Sequence, residues 1–173
     1  MHLRLLSRRH FSVTAVLVSL LSLIGVTTTA QAAQQPSAQA SAPRILTFAN
    51  KCVDVQGAHT EDGALIRQWT CNGTVAQNFT IVPLGDGRVT IKTFANKCVD
   101  LQGAHSEDGT WLRQWTCNGT VAQAFTIVPL SNGHATIRTF VNKCFDVQGA
   151  HTEDGTWIRQ WTCNSTVAQE FTV

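Results

Sequence analysis

Asp54, Trp69, Asn72 and Gln77 place a carboxylate, an indole and two amides within one short stretch of chain, and the same four residue types return twice. The second set is Asp100, Trp115, Asn118 and Gln123; the third is Asp146, Trp161, Asn164 and Gln169. A neutral polyhydroxylated compound is already hydrogen-bonded to water. A site that holds one must offer a flat aromatic surface to its apolar face and fixed polar groups to adjacent hydroxyls. A carboxylate suits the task because it accepts two charge-assisted hydrogen bonds from neighbouring hydroxyls. An arginine lies two residues before each tryptophan: Arg67, Arg113 and Arg159. Its guanidinium either pairs with the nearby aspartate and blocks it, or binds an acidic ligand. Bond-breaking chemistry is poorly supported, since a retaining glycosidase needs two carboxyl groups about 5 Å apart. The only repeated candidates are Asp54 with Glu61 or Asp62 and their counterparts. No nucleophile–histidine motif accompanies them, so a non-catalytic role without cofactor or metal is expected.

These residues recur because the chain repeats itself every 46 or so positions. Thr47–Pro83 and Thr93–Pro129 agree at roughly 31 of 37 positions. Any site built from repeated residues should therefore exist three times, related by rotation. A binder gains avidity from such triplication, whereas a small enzyme rarely needs it. All six cysteines lie inside the repeats, two in each at one separation. Six cysteines allow 15 pairings, and the repeat selects Cys52–Cys71, Cys98–Cys117 and Cys144–Cys163. No CxxC spacing supports zinc.

Residues 1–32 read as an export signal. Arg4, Arg8 and Arg9 form a charged start, Phe11–Val26 an apolar centre, and Ala30-Gln31-Ala32 a cleavage site. Ser7-Arg8-Arg9-His10-Phe11 also resembles a twin-arginine motif, so export by either the general or the twin-arginine route is expected, from a bacterium in the second case. Residues 33–43, rich in Gln, Ala, Ser and Pro, read as a disordered leader. The remaining 44–173 suits one domain, with repeats at about 44–89, 90–135 and 136–173. Residues 1–32 hold three arginines and no acid, so their removal takes the formal charge from +2 to −1. That balance argues against nucleic acid and membrane insertion as partners. A secreted monomer is expected.

In the first copy, Arg44–Phe48, Lys51–Val55, Leu65–Thr70 and Gln77–Val82 read as strands, with turns at Gly57–Gly63 and Gly85-Asp86-Gly87. No sustained helical period appears, so four strands taken three times give an all-β chain of twelve strands. Alternation puts Ile66 and Gln68 on one face of the third strand and Leu65, Arg67 and Trp69 on the other. The aliphatic replacements Leu112 and Ile158 mark the Ile66 face as buried, which leaves Gln68 in need of a hydrogen-bond partner in the core.

The pattern Cys-Val-Asp-Val, then Arg-Gln-Trp-Thr-Cys-Asn, then Gln-x-Phe resembles the ricin B-type lectin domain, whose hallmark is a threefold Q-x-W. Here the hallmark is Gln77-Asn78-Phe79, Gln123-Ala124-Phe125 and Gln169-Glu170-Phe171, with Phe for Trp each time. The resemblance spans 44–173 and implies a β-trefoil: a six-stranded barrel capped by three hairpins, with the short last strand pairing with the first. It implies carbohydrate binding, with galactosides or xylan-type glycans as partners. Asp54 would accept hydrogen bonds from the sugar, Trp69 would form the stacking platform, Asn72 would add a side contact and Gln77 would orient Asp54 from behind. Two departures stand out: Ala76, Ala122 and Ala168 replace the asparagine usual before Q-x-W, and Arg67, Arg113 and Arg159 stand where glutamine is frequent. A protein-binding trefoil is the alternative, because Trp and Arg are common interface anchors.

Two further features repeat. Trp111 and Trp157 stand four residues before the second and third platform tryptophans, where the first repeat has Leu65. They would extend a stacking surface or pack on the barrel. His59-x-Glu61-Asp62 and its copies at His105 and His151 carry metal-ligand types, but Asp-Gly is a turn signal and a solvated turn is the expected outcome.

Overall fold

β-branched and aromatic residues in short alternating runs, cut by Asn, Asp and Gly, cannot sustain a helix and instead form strands that pair through tight turns. The computed structural model describes residues 44–173; the expected export signal and leader lie outside the described residues. Twelve strands appear. The first repeat gives β1 (Leu46–Thr47), β2 (Cys52–Val55), β3 (Ile66–Trp69) and β4 (Phe79–Pro83). The second gives β5 (Val89–Thr93), β6 (Cys98–Leu101), β7 (Leu112–Trp115) and β8 (Thr126–Pro129), and the third β9 (Ala135–Arg138), β10 (Cys144–Val147), β11 (Ile158–Trp161) and β12 (Phe171–Thr172).

The pairing is that of a β-trefoil. Antiparallel pairs β4–β5 and β8–β9 run along the wall, an isolated bridge Val89↔Phe125 joins them, and β12 lies between β9 and β1. Leu46 faces Thr172 and Thr47 faces Phe171, so the last strand closes on the first. The hairpins β2–β3, β6–β7 and β10–β11 meet through three bridges, Leu65↔Arg113, Trp111↔Arg159 and Trp157↔Arg67. Trp111 and Trp157 thus sit at the junctions between repeats, half-buried. The first strand is shorter than expected, and Gln77 is not a strand residue. Val75–Gln77 forms a 3-10 turn, with copies at Val121–Gln123 and Val167–Gln169, and the strand starts two residues later at Phe79.

Each repeat supplies an equivalent large aromatic to the interior, Phe79, Phe125 and Phe171, each at most 2% exposed, and the third repeat adds Phe145, edge-on to Phe125 and Phe171. Around them lie Val55, Leu101 and Val147 from the second strand of each repeat and Ile66, Leu112 and Ile158 from the third. Phenylalanine therefore fills the place that the Q-x-W pattern gives to tryptophan. Disulfides join Cys52–Cys71, Cys98–Cys117 and Cys144–Cys163, and no described cysteine is free.

The buried glutamines find their partners in the neighbouring repeat. Gln68 accepts from the Thr47 hydroxyl at 2.9 Å and donates to the carbonyls of His151 and Glu153 at 2.9 and 3.1 Å. Gln114 donates to His59 and Glu61, and Gln160 to His105 and Glu107. The histidine–glutamate loops are thus seats for a glutamine through their backbone. The aspartate that follows is a second clasp. Asp154 accepts from Lys51 at 2.7 Å and from the Thr70 amide at 2.6 Å; Asp62 pairs with Lys97 and Asp108 with Lys143, each at 2.7 Å. These turns are not merely solvated: their acids tie one repeat to the next. The signal was present in sequence as a lysine before each first cysteine and an aspartate in each Asp-Gly turn.

This clasp titrates. The Lys97 and Lys51 hydrogen bonds hold the Asp62 and Asp154 carboxyls below the ordinary value of 3.8. At Asp108 desolvation acts upward, and the Lys143 and Thr162 hydrogen bonds outweigh it, so the net shift is also downward. A depressed folded-state pKa stabilises the fold above the unfolded value, and the contribution is lost as pH falls through the folded one. Thermal midpoints should therefore fall as pH drops below about 4. In Asp62→Asn/Asp108→Asn/Asp154→Asn the acid-side slope should be visibly shallower by calorimetry; an unchanged slope would remove the clasp from the account.

Candidate functional site

Hairpin register decides how the candidate residues meet. On β2 and β3, Cys52 lies opposite Trp69, Asp54 opposite Arg67 and Val55 opposite Ile66. Directly opposed side chains share a face, so the aspartate and arginine are forced together. Arg67 Nε donates to Asp54 Oδ1 at 2.9 Å, Arg113 to Asp100 at 3.0 Å and Arg159 to Asp146 at 3.2 Å. The other carboxylate oxygen accepts from the glutamine amide of the 3-10 turn, at 3.4, 3.1 and 3.2 Å in the three repeats. The turn covers the hairpin's outer face, and Asp54, Asp100 and Asp146 are only 3–4% exposed. The aspartates are thus not open acceptors: of the two fates open to the arginine, the structure takes the pairing. The signal was legible in principle, since the spacing of the hairpin sets Asp54 across from Arg67.

The indoles are layered rather than bare. The guanidinium carbon of Arg67 sits 4.0 Å from the Trp69 ring centroid, and Arg113 and Arg159 sit 3.9 Å from Trp115 and Trp161. The edge of Trp69 also meets the third repeat: a methyl on Gly155 would lie 3.7 Å from Cζ3. Gly155 has φ +89°, a conformation that other residues rarely adopt, and its amide donates to the Gln68 carbonyl, so this contact and the clasp share one turn. Each repeat therefore presents an Asp–Arg–Trp stack whose charge is cancelled internally and whose arginine and indole are both partly exposed.

Gln77, Gln123 and Gln169 are fully buried struts. Gln77 donates to Asp54 and to the Thr70 carbonyl and accepts from the Asn72 amide. Asn72 folds its own loop: its Oδ1 accepts from the amide and hydroxyl of Thr74, as Asn118 does from Thr120 and Asn164 from Thr166. The asparagine oxygen is thus committed to its own loop, and the residue is exposed in all three repeats. In the third repeat an open depression of about 250 Å³ lies over this arrangement, lined by Asp146, Arg159, Trp161, Asn164 and the small residues Gly149 and Ala168. Its chemistry is donor-rich, suited to oxygen acceptors. Among the described residues no group of three or more His, Cys, Asp or Glu could hold a metal ion; His59 instead faces Glu61 at 3.0 Å.

The family model for the ricin-type beta-trefoil lectin domain matches residues 44–171, and the chain belongs to that family. A comparison with curated proteins finds no match. Among solved structures, the designed threefold-symmetric protein ThreeFoil is 27% identical with a TM-score of 0.73, over 75% of this chain and 94% of that one. The exo-beta-1,3-galactanase 1,3Gal43A from Clostridium thermocellum is 29% identical with a TM-score of 0.72, over 75% of this chain but only 29% of the enzyme. The Macrolepiota procera ricin B-like lectin, solved with lactose, shares the fold at 19% identity and a TM-score of 0.64, over 75% of this chain and 91% of that one.

Proposed function

We propose that this protein is a secreted, non-catalytic glycan binder that holds sugars at the Asp–Arg–Trp stacks of its three repeats. The observation that supports the reading is the depression in the third repeat lined by Asp146, Trp161 and Asn164, three of the four residues the lectin resemblance names there, together with Arg159. Recognition there is weighted towards donors. The outer guanidinium and the asparagine Nδ2 offer hydrogen bonds to ring and hydroxyl oxygens, while the buried aspartate fixes the arginine instead of touching the sugar. A shallow site of this kind binds a single pyranose near millimolar, about 4 kcal/mol. Three such sites on one rigid body raise the avidity for a polymer by about 10²–10⁴ where the spacing fits. Galactosides and xylan-type polymers are the first ligands to try, and export with three disulfides suits an extracellular target.

Retention on galactan or xylan gels should fall at least about tenfold in Trp69→Ala/Trp115→Ala/Trp161→Ala, with circular dichroism reporting an intact fold. Undiminished retention by that folded variant would remove the stacks from the site, and no binding to any galactoside or xylan would overturn the neutral-glycan reading. A protein-binding role is the second reading. It draws on Val75, Val121 and Val167, exposed by about half on the 3-10 turns next to the stacks. Capture of a partner that free sugar does not displace would favour it.

A further inference from the structure

The molecule's cations are distributed unevenly. Of the ten lysines and arginines in residues 44–173, Lys51, Lys97, Lys143, Arg67, Arg113, Arg159 and Arg88 each have a carboxylate partner. Arg44, Lys92 and Arg138 have none among the described residues, and residues 1–43 contain no aspartate or glutamate. Lys92 and Arg138 stand at the same position of their repeats, beside the disulfide. Lys92 on β5 lies opposite Cys98, and Arg138 on β9 lies opposite Cys144.

Each of these two residues lines a groove. The one at Lys92 is about 230 Å³, walled by Leu84, Thr90, the Cys98–Cys117 bridge and Thr120, with Arg88, itself paired to Asp86, as a second cation on its lining. The one at Arg138 is about 240 Å³ and has matching walls: Leu130, Thr136, the Cys144–Cys163 bridge and Thr166. In the first repeat Arg44 takes the position of Thr90, and its Nη2 would lie 3.6 Å from a methyl on Gly73, the counterpart of Gly119 in the Lys92 groove. At Arg138, Nη1 donates to Asn142 at 3.0 Å and buried Nε has no acceptor. The Arg138 groove also contains Glu170, held by Asn132, whereas no carboxylate lines the Lys92 groove. A half-buried cation without a counter-ion, set among hydroxyls and apolar walls, is matched by an oxyanion on a compact ring.

We propose that the grooves at Lys92 and Arg138 are anion subsites, stronger at Lys92, which take the carboxylate or sulfate groups of an acidic polysaccharide. The sites are separate from the stacks; only the choice of a saccharide as carrier of the anion rests on the proposed function. Threonine hydroxyls meet the ring hydroxyls, the leucine and disulfide meet its apolar face, and the cation meets the acid. Polygalacturonate and its fully methyl-esterified form are the probes, titrated calorimetrically against the mature protein. The free acid should bind at least about tenfold tighter than the ester, weaken as sodium chloride rises from about 50 to 300 mM, and weaken about fivefold on Lys92→Gln. Arg44→Gln/Lys92→Gln/Arg138→Gln should abolish the difference between acid and ester. Equal binding of acid and ester, an unchanged triple variant, or equally strong binding of single-stranded DNA would overturn the proposal. Loss of neutral-glycan binding in the tryptophan variants bears only on the stacks, so the two readings fail independently.

Discussion

Replacing Gln68 with alanine should destabilise the domain by about 4 kcal/mol, more than any single surface charge. The side chain is fully buried and makes three hydrogen bonds. Its removal forfeits about 1 kcal/mol for each bond and strands two loop carbonyls and the Thr47 hydroxyl. The cavity left behind adds a further penalty of about 1 kcal/mol. Gln68→Leu fills the space but leaves the carbonyls of His151 and Glu153 unsatisfied, so it should recover less than half of the loss. Urea unfolding of the two variants measures both quantities. A cost below about 1 kcal/mol for the alanine variant would mean that water takes over the loop carbonyls and that the repeats are held by apolar packing alone.

Reduction should have a still larger effect. Each bridge closes a loop with a sequence separation of 19, which is worth about 3 kcal/mol through the unfolded chain. Three together, about 9 kcal/mol, are as large as the whole 5–15 kcal/mol stability of a typical domain. The fully reduced protein is therefore expected to be unfolded near 37 °C, and Cys98→Ser/Cys117→Ser to lose about one third of the total stabilisation. Circular dichroism with and without reductant checks both; a cooperative melt that survives complete reduction would show that the core suffices unaided.

Much of this architecture was legible in the chain, because the repeat carries its own punctuation. Alternation around Ile66 located the buried face, and the recurrent cysteine spacing selected the pairing. What alternation does not convey is how a face is covered. Trp69 and Arg67 point away from the barrel as parity requires, yet the loop from Cys71 to Gln77 folds over their hairpin and buries Asp54 beneath it. Side-chain parity is a property of one strand; covering depends on a loop whose path is set by Gln77 and Asn72 hydrogen bonds that have no periodic signature. Gln68 illustrates the same gap from the other side. Its need for a partner was evident, but the partner is a backbone carbonyl some eighty residues away, and backbone groups leave no trace in composition.

The order of the clasps carries a consequence for how such a molecule can arise. The first repeat grips the loop of the third, the second that of the first, and the third that of the second. Every unit therefore owns both a socket and a plug, and neither fits within the same unit. A heterologous contact of this kind that turns by one third of a circle closes on itself after three members. A short ancestral peptide holding one socket and one plug would thus already have contained the full instructions for a closed trimer, which later tandem fusion of its gene had only to join end to end.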